Sequence, residues 1–253
     1  MRARPQLAVF PTSDALTTGA ADAFTAAADA AIRTSGRFMV ALSGGTTPKR
    51  LYARLATEPY ASQVQWPQVH IFWGDERWVP PTDPASNYRM TREQLLDHVP
   101  IPEENIHRIH GEAAADAAAA YQRTLRYAFA TPEGPPKHTA GARFDLVLLG
   151  LGENGHTASW FPGMAAVHEQ RKWAMAEYIP EASMWRVTLT PVVINAAAQA
   201  MFLVSGAAKA ETLRRVLEGP DQPDTLPAQA VALPSGELRW LVDSAAAELL
   251  QQG

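Results

Sequence analysis

Residues 144–163 read "FDLVLLGLGENGHTASWFPG", and the fold of the chain turns on how that stretch is parsed. Its first half is continuously apolar, the pattern of a strand covered on both faces in a parallel sheet. Gly150, Gly152 and Gly155 then satisfy G-x-G-x-x-G, the spacing of a dinucleotide-binding turn, and an acid, Glu177, stands about 20 residues further on. A dinucleotide fold needs a helix of about ten residues behind those glycines. Here Pro162 and Gly163 stop any helix within about two turns. The motif also lies past the middle of the chain, where such a fingerprint usually opens its domain. The competing reading is a glycine loop built to hold His156, whose ordinary pKa near 6.5 suits proton transfer at neutral pH.

Outward from this stretch, short apolar runs alternate with helical patterns. Strands are expected at residues 7–10, 38–42, 69–73, 144–149, 173–176, 186–190, 200–204 and 238–242. Helices are expected from Ser13 to Gly36, around Tyr121, Leu125 and Phe129 spaced on one face, and up to Gly219. The alternation predicts a doubly wound α/β fold with a mostly parallel sheet flanked by helices. Pro-rich stretches at 131–141 and 219–228 read as exposed loops, too short for linkers. Residues 1–253 are therefore expected to form a single α/β domain.

Composition narrows the function. With 47% apolar and 19% charged residues the chain has the make-up of a soluble globular protein. A net charge of −4 gives no reason to expect nucleic acid, so any anion site must come from local geometry. There is no cysteine, which excludes disulfides, thiolate catalysis and thiolate-held metals and fits a cytoplasmic setting. No apolar run approaches 18 residues, so no membrane span is expected. His107 and His110 stand three apart without a convincing ligand pattern around them, and no metal or cofactor is expected.

In an open α/β sheet, ligands bind beyond the carboxyl ends of the strands. After the second run, Ser43, Gly44, Gly45 and Thr46 lead into a helix opened by Pro48, where free N–H groups and the helix dipole favour an anion. After the third run come Asp75, Glu76 and Arg77, then a loop with three prolines leading to Asn87. Arg186 opens a later strand, and Lys209 sits in the first turn of a helix, against the dipole there. Each segment alone also reads as a tight turn or a solvated charge cluster. Their joint occurrence at strand exits of one sheet points to a site.

Together "LSGGTTPKRLY", "WGDERWVP" with "SNYRM", "GLGENGHTASWFPG", "RVTLT" and "SGAAKA" resemble the 6-phosphogluconolactonases, in order from about Phe38 to Lys209. The resemblance implies the Rossmann-like fold of the sugar-phosphate isomerases. It also implies cofactor-free hydrolysis of 6-phospho-D-glucono-1,5-lactone to 6-phosphogluconate, in the oxidative pentose phosphate pathway. On this reading Ser43, Gly44, Gly45 and Thr46, with Arg186 and Lys209, would hold the phosphate. His156 would be the general base, Arg77 a donor to the oxyanion, and Asp75 an orienting group for His156 or the sugar hydroxyls. The related glucosamine-6-phosphate deaminases resemble "DEY" where this chain has Asp75-Glu76-Arg77, and carry a glutamate where it has Phe161. A deaminase and a non-catalytic sugar-phosphate sensor are the alternatives. The family usually has aspartate before the Gly-His pair; here Asn154 stands instead, as a substrate-side residue expected to leave His156 with a lower basic pKa.

Overall fold

A computed structural model describes residues 6–130 and 143–251; the Pro-rich stretch expected at 131–141 lies outside the described residues. The strands are β1 (Gln6–Phe10), β2 (Phe38–Leu42), β3 (Val69–Trp73), β4 (Asp75–Arg77), β5 (Ile106–His107), β6 (Leu146–Leu149), β7 (Ala174–Ile179), β8 (Met184–Leu189), β9 (Gln199–Val204) and β10 (Glu237–Asp243). The α-helices are α1 (Ser13–Ser35), α2 (Thr46–Leu55), α3 (Tyr60–Gln63), α4 (Asn87–Gln94), α5 (Ala117–Ala128), α6 (Pro191–Ile194) and α7 (Ala210–Glu218). None of these helices is long and apolar enough to cross a membrane.

Continuous apolar runs make parallel strands. β2 (FMVAL) and β6 (LVLL) are buried at every position. They lie at the heart of a seven-stranded sheet of order β1-β10-β9-β6-β2-β3-β5, in which every neighbouring pair is parallel. The chain runs from β2 through β3 to β5, then returns to β6 on the other side of β2 before continuing to β9 and β10. Strand order reverses between β2 and β6, and the loops leaving those strands diverge into a crevice. α1 starts where the Thr12 side chain accepts from the Ala15 N–H and stops at Gly36, φ 74°, a left-handed cap suited to glycine. α5 buries Tyr121 and Leu125 on the expected face, and Phe129 just beyond it.

The structure departs from the expected single sheet. β7 and β8 pair antiparallel with each other, and β8 with β4, in a separate three-stranded sheet. The turn Pro180–Ala182 and Ser183, at φ 47°, is all that joins β7 to β8. A parallel pair would need a crossover of a dozen residues or more. Arg186 is therefore mid-strand in this second sheet and not at a strand exit of the first. The Asp75-Glu76-Arg77 run is strand β4, not a solvated rim. β1 is an edge strand with Leu7 and Val9 exposed. No helix follows Gly155; the chain makes turns closed by a bridge between Thr157 and Trp160. Lys209 ends a 3-10 turn, Ala207–Lys209, immediately before α7 and not inside its first turn.

Two tyrosine hydroxyls fix the strand ends that face the crevice. Tyr52, on α2, donates to the Ser43 carbonyl at 2.7 Å and accepts from its N–H at 3.0 Å. Tyr121, on α5, does the same for Trp73 at 2.9 Å in each direction. Burial pushes both phenols well above their ordinary pKa, so each stays neutral and both donates and accepts. Tyr52→Phe and Tyr121→Phe each strand two buried backbone groups, and each should cost about 1–3 kcal/mol in denaturant unfolding. Only Tyr52→Phe should also weaken binding of inorganic phosphate, because Ser43 opens the loop before α2.

Candidate active site

The loop after β2 runs Ser43, Gly44, Gly45 into Thr46, the first residue of α2. Gly45 has φ 105°, a conformation that disfavours any side chain, and no side chain caps the helix. The first N–H groups of α2 are thus open to an anion, with the dipole behind them. Gly44 is required by contact: a Cβ there would stand 2.1 Å from Asn87 Oδ1. After β9, the turn carrying Ser205 and Gly206 is fixed by Asp243, which accepts from the Ser205 hydroxyl and the Gly206 N–H. These loops, the Gly150 loop and the second sheet enclose a cleft of about 230 Å³. That lies below the range of about 300–1,000 Å³ common for drug-sized ligands, and suits a small polar molecule better than a dinucleotide.

Ser43, Gly44, Gly45, Thr46, Asp75, Arg77, His156, Arg186 and Lys209 all line this cleft. Arg77 and Arg186 are directly opposed on β4 and β8, an unfavourable pairing of like charges. Asp75 is buried beside them, with Oδ2 3.6 Å from Arg186 Nη1. Arg77 Nη1 donates to the Ala85 carbonyl at 2.6 Å, while the Nε atoms of both arginines are buried without a hydrogen-bond partner. Lys209 Nζ lies 3.5 Å from Glu153 Oε1 at the rim. The cleft thus concentrates three cations in a chain that is acidic overall.

Strand alternation sorts the charged triplet. Asp75 and Arg77 face the cleft, whereas Glu76 faces the other way. Glu76 accepts from the N–H groups of Arg77, Asn87 and Tyr88 and from the Ser86 hydroxyl, and so anchors the start of α4. Burial raises its pKa against the pull of those backbone donors. Asp75 accepts from Ser159 Oγ at 2.7 Å and Asn87 Nδ2 at 3.4 Å. The imidazole's hydrogen-bond partner is not Asp75 but Asn154.

The glycine loop holds His156 between two surfaces. A Cβ on Gly152 would fall 2.0 Å from His156 Nδ1, so the ring lies directly on that glycine. Phe161 stacks on the ring, centroids 4.1 Å apart and planes at 13°, and the Arg186 guanidinium sits 5.4 Å from the Phe161 centroid. Asn154 Oδ1 stands 2.6 Å from Nδ1. Asn154 does not line the cleft as expected; it stands behind the imidazole, with Nδ2 donating to Glu181 at 2.9 Å. Glu177, the acid matched by the dinucleotide spacing, accepts from the Ala165 and Ala166 N–H groups and caps a 3-10 turn.

Asn87, Ser159, Phe161 and Glu181 complete the site; the sequence offers Phe161 only as the residue at the deaminases' glutamate position and gives the other three no role in it. Asn87 has a usable signal, since Ser86 before it is a helix cap that fixes its place at the head of α4. The others depend on contacts across 27 or more positions, or on a stacking that spacing does not encode.

Burial lowers the His156 pKa to about 4; Arg186, Lys209 and Arg77 push the same way and Asp75 opposes them. The ring is therefore neutral at neutral pH and able to accept a proton. An anion among the three cations removes part of that push. In an NMR titration His156 should protonate near pH 4 in the free protein and at higher pH with saturating inorganic phosphate. An unchanged titration would mean that phosphate does not bind among those cations.

A family model described as glucosamine-6-phosphate isomerases/6-phosphogluconolactonase matches residues 11–240. A 6-phosphogluconolactonase from Nostoc is 39% identical over 240 residues, 94% of this chain and 95% of that protein. One from Synechocystis is 41% identical over 224 residues, 87% of this chain and 88% of that protein. The solved 6-phosphogluconolactonase from Trypanosoma cruzi superposes with a TM-score of 0.86 at 28% identity, covering 100% of this chain and 99% of that one. A cationic cleft at a Rossmann-like switch point, with a sheltered histidine at its edge, thus sits in a sequence and fold shared with named relatives, and the chain belongs to the glucosamine-6-phosphate isomerase/6-phosphogluconolactonase family.

Proposed function

We propose that the chain is a 6-phosphogluconolactonase of the pentose phosphate pathway, hydrolysing 6-phospho-D-glucono-1,5-lactone to 6-phosphogluconate in the cytoplasm without a cofactor. The observation that carries this reading is a neutral imidazole held rigidly beside three cations and an uncapped helix N-terminus. The reading treats residues 1–253 as one unit, because the cleft draws on β2, β3, β6 and β9 loops and on the second sheet.

The phosphate would lie on the first N–H groups of α2, with the Ser43 and Thr46 hydroxyls, Arg186 and Lys209 around it. That anchoring places the lactone carbonyl near His156. The imidazole takes a proton from water as the water oxygen attacks the carbonyl carbon. Negative charge then develops on the carbonyl oxygen, where the Arg77 guanidinium, which lines the cleft, is a suitable donor. Collapse of the tetrahedral intermediate breaks the ring C–O bond, and the imidazolium returns its proton to the departing ring oxygen. Asp75 keeps Arg186 in place and can orient a sugar hydroxyl.

Phe161 favours hydrolysis over deamination. It fills the position where the resembling deaminases carry a ring-opening carboxylate, and here it walls off the imidazole. The test is acid release from freshly made lactone, with spontaneous hydrolysis subtracted. His156→Ala should lower kcat by about 10²–10⁴. Lys209→Ala should chiefly raise KM, by about tenfold or more for a lost charge-assisted bond. A His156→Ala variant with full kcat would remove the base assignment. Binding of 6-phosphogluconate with no turnover would identify a sensor instead, and ammonia release from glucosamine 6-phosphate would identify a deaminase.

A further inference from the structure

Asn154 raises a chemical question, because an amide can offer the imidazole either an acceptor or a donor. Only the acceptor leaves Nε2 free to take a proton. Two neighbours decide the matter. The His156 backbone N–H, which can only donate, lies 3.2 Å from Asn154 Oδ1. The Glu181 carboxylate, which as an anion can only accept, lies 2.9 Å from Asn154 Nδ2. Both ends of the amide specify one orientation. Oδ1 is then the group 2.6 Å from His156 Nδ1, so Nδ1 carries the hydrogen and Nε2 the lone pair.

We propose that Glu181 is a positioning residue for His156, acting through the Asn154 amide as the outer member of a Glu181–Asn154–His156 relay. The proposal rests on His156 being the general base. Glu181 comes from the turn Pro180–Ala182 at the tip of the β7–β8 hairpin, 27 residues from Asn154 in sequence. The second sheet thus reaches back to the glycine loop and holds the far side of the imidazole. A negative charge that an aspartate at this position would place directly on Nδ1–H sits one group further out, and the amide passes on its polarity. Without Glu181 only the single backbone N–H resists a flip of the amide. The flipped form would donate to Nδ1 and leave the hydrogen on Nε2, the form that cannot act as base.

Glu181 is exposed, so solvent screens its charge and its removal leaves the packing intact. Wild type, Glu181→Gln, Asn154→Asp and the double variant should be compared on fresh lactone. With Asn154 in place, Glu181→Gln should lower kcat about two- to fivefold, at unchanged KM, the size expected of an exposed charge. In the Asn154→Asp background the same change should raise kcat, because it removes one of two carboxylates facing each other and supplies a donor to the other. Reversal of sign between the two backgrounds is the signature of the relay. No effect, or an effect of the same sign in both, overturns it. Nitrogen-15 shifts of His156 give a second readout that does not depend on turnover. Wild type should show the Nδ1–H tautomer and Glu181→Ala a mixture of both; an unaltered tautomer overturns the relay. Full kcat in His156→Ala would fell the general-base reading alone, with the tautomer measurement still deciding whether Glu181 orders the ring.

Discussion

The site depends on the short parallel seam between β2 and β6. Its register is Val40 opposite Leu146 and Ala41 opposite Val147. Asp145 extends it by one clasp, its carboxylate accepting from the Met39 N–H while its own N–H donates to the Met39 carbonyl. Because neighbouring parallel strands end on the same side, this pairing delivers the Ser43 loop and the Gly150 loop to one place. They set out side by side before diverging: a Cβ on Gly150 would be 3.8 Å from Ser43 Oγ. Slipping the seam by one residue would turn every side chain of β6 to the other face and carry the histidine loop away from the helix N-terminus.

The second sheet serves the first as a rigid wall. Besides the exposed Asn154–Glu181 contact, it is stitched to the glycine loop by three buried hydrogen bonds: the Ser159 N–H to Thr188 Oγ1, Ser159 Oγ to Asp75, and Trp160 Nε1 to the Leu189 carbonyl. Those bonds are buried, where an unmade partner is costly, so the loop has little freedom to depart. The wall also tolerates a poor electrostatic arrangement, two arginines side by side. Asp75 relieves that only partly, at 3.6 Å from Arg186. A site that keeps cations close in the ground state is set to gain when a doubly charged anion arrives.

Much of this is legible in the sequence, and for identifiable reasons. The runs FMVAL, VHIFW, LVLL and QAMFLV are strands because nothing but a two-sided core accepts so many consecutive apolar residues. The glycine loop reads correctly against its own dinucleotide spacing, since Pro162 and Gly163 forbid the helix that spacing requires. The antiparallel sheet escapes the sequence reading although Pro180 to Ser183 leaves no room for a crossover, a local signal outweighed by the alternating pattern of the rest. β5, at two residues, has no period to detect. The roles of Phe161 and Glu181 are not legible, because a stacking distance and a contact between remote turns have no local signature.

The pairing of β1 with β10 carries a consequence for how the chain reaches this structure. Gln6 to Phe10 register against Arg239 to Asp243, so the edge of the sheet joins segments more than 220 residues apart in sequence. α1 packs on β10 as well as on β2, so part of its buried surface lacks cover until β10 arrives. During synthesis at about 5–20 residues per second, β1 waits on the order of ten seconds or more for β10, its one strand partner among the described residues. Closing so long a loop makes this pairing slow, and it belongs among the last events of folding. Over that interval Leu7, Val9 and the apolar side of α1 depend on other cover, which leaves the nascent chain prone to aggregate until β10 has emerged.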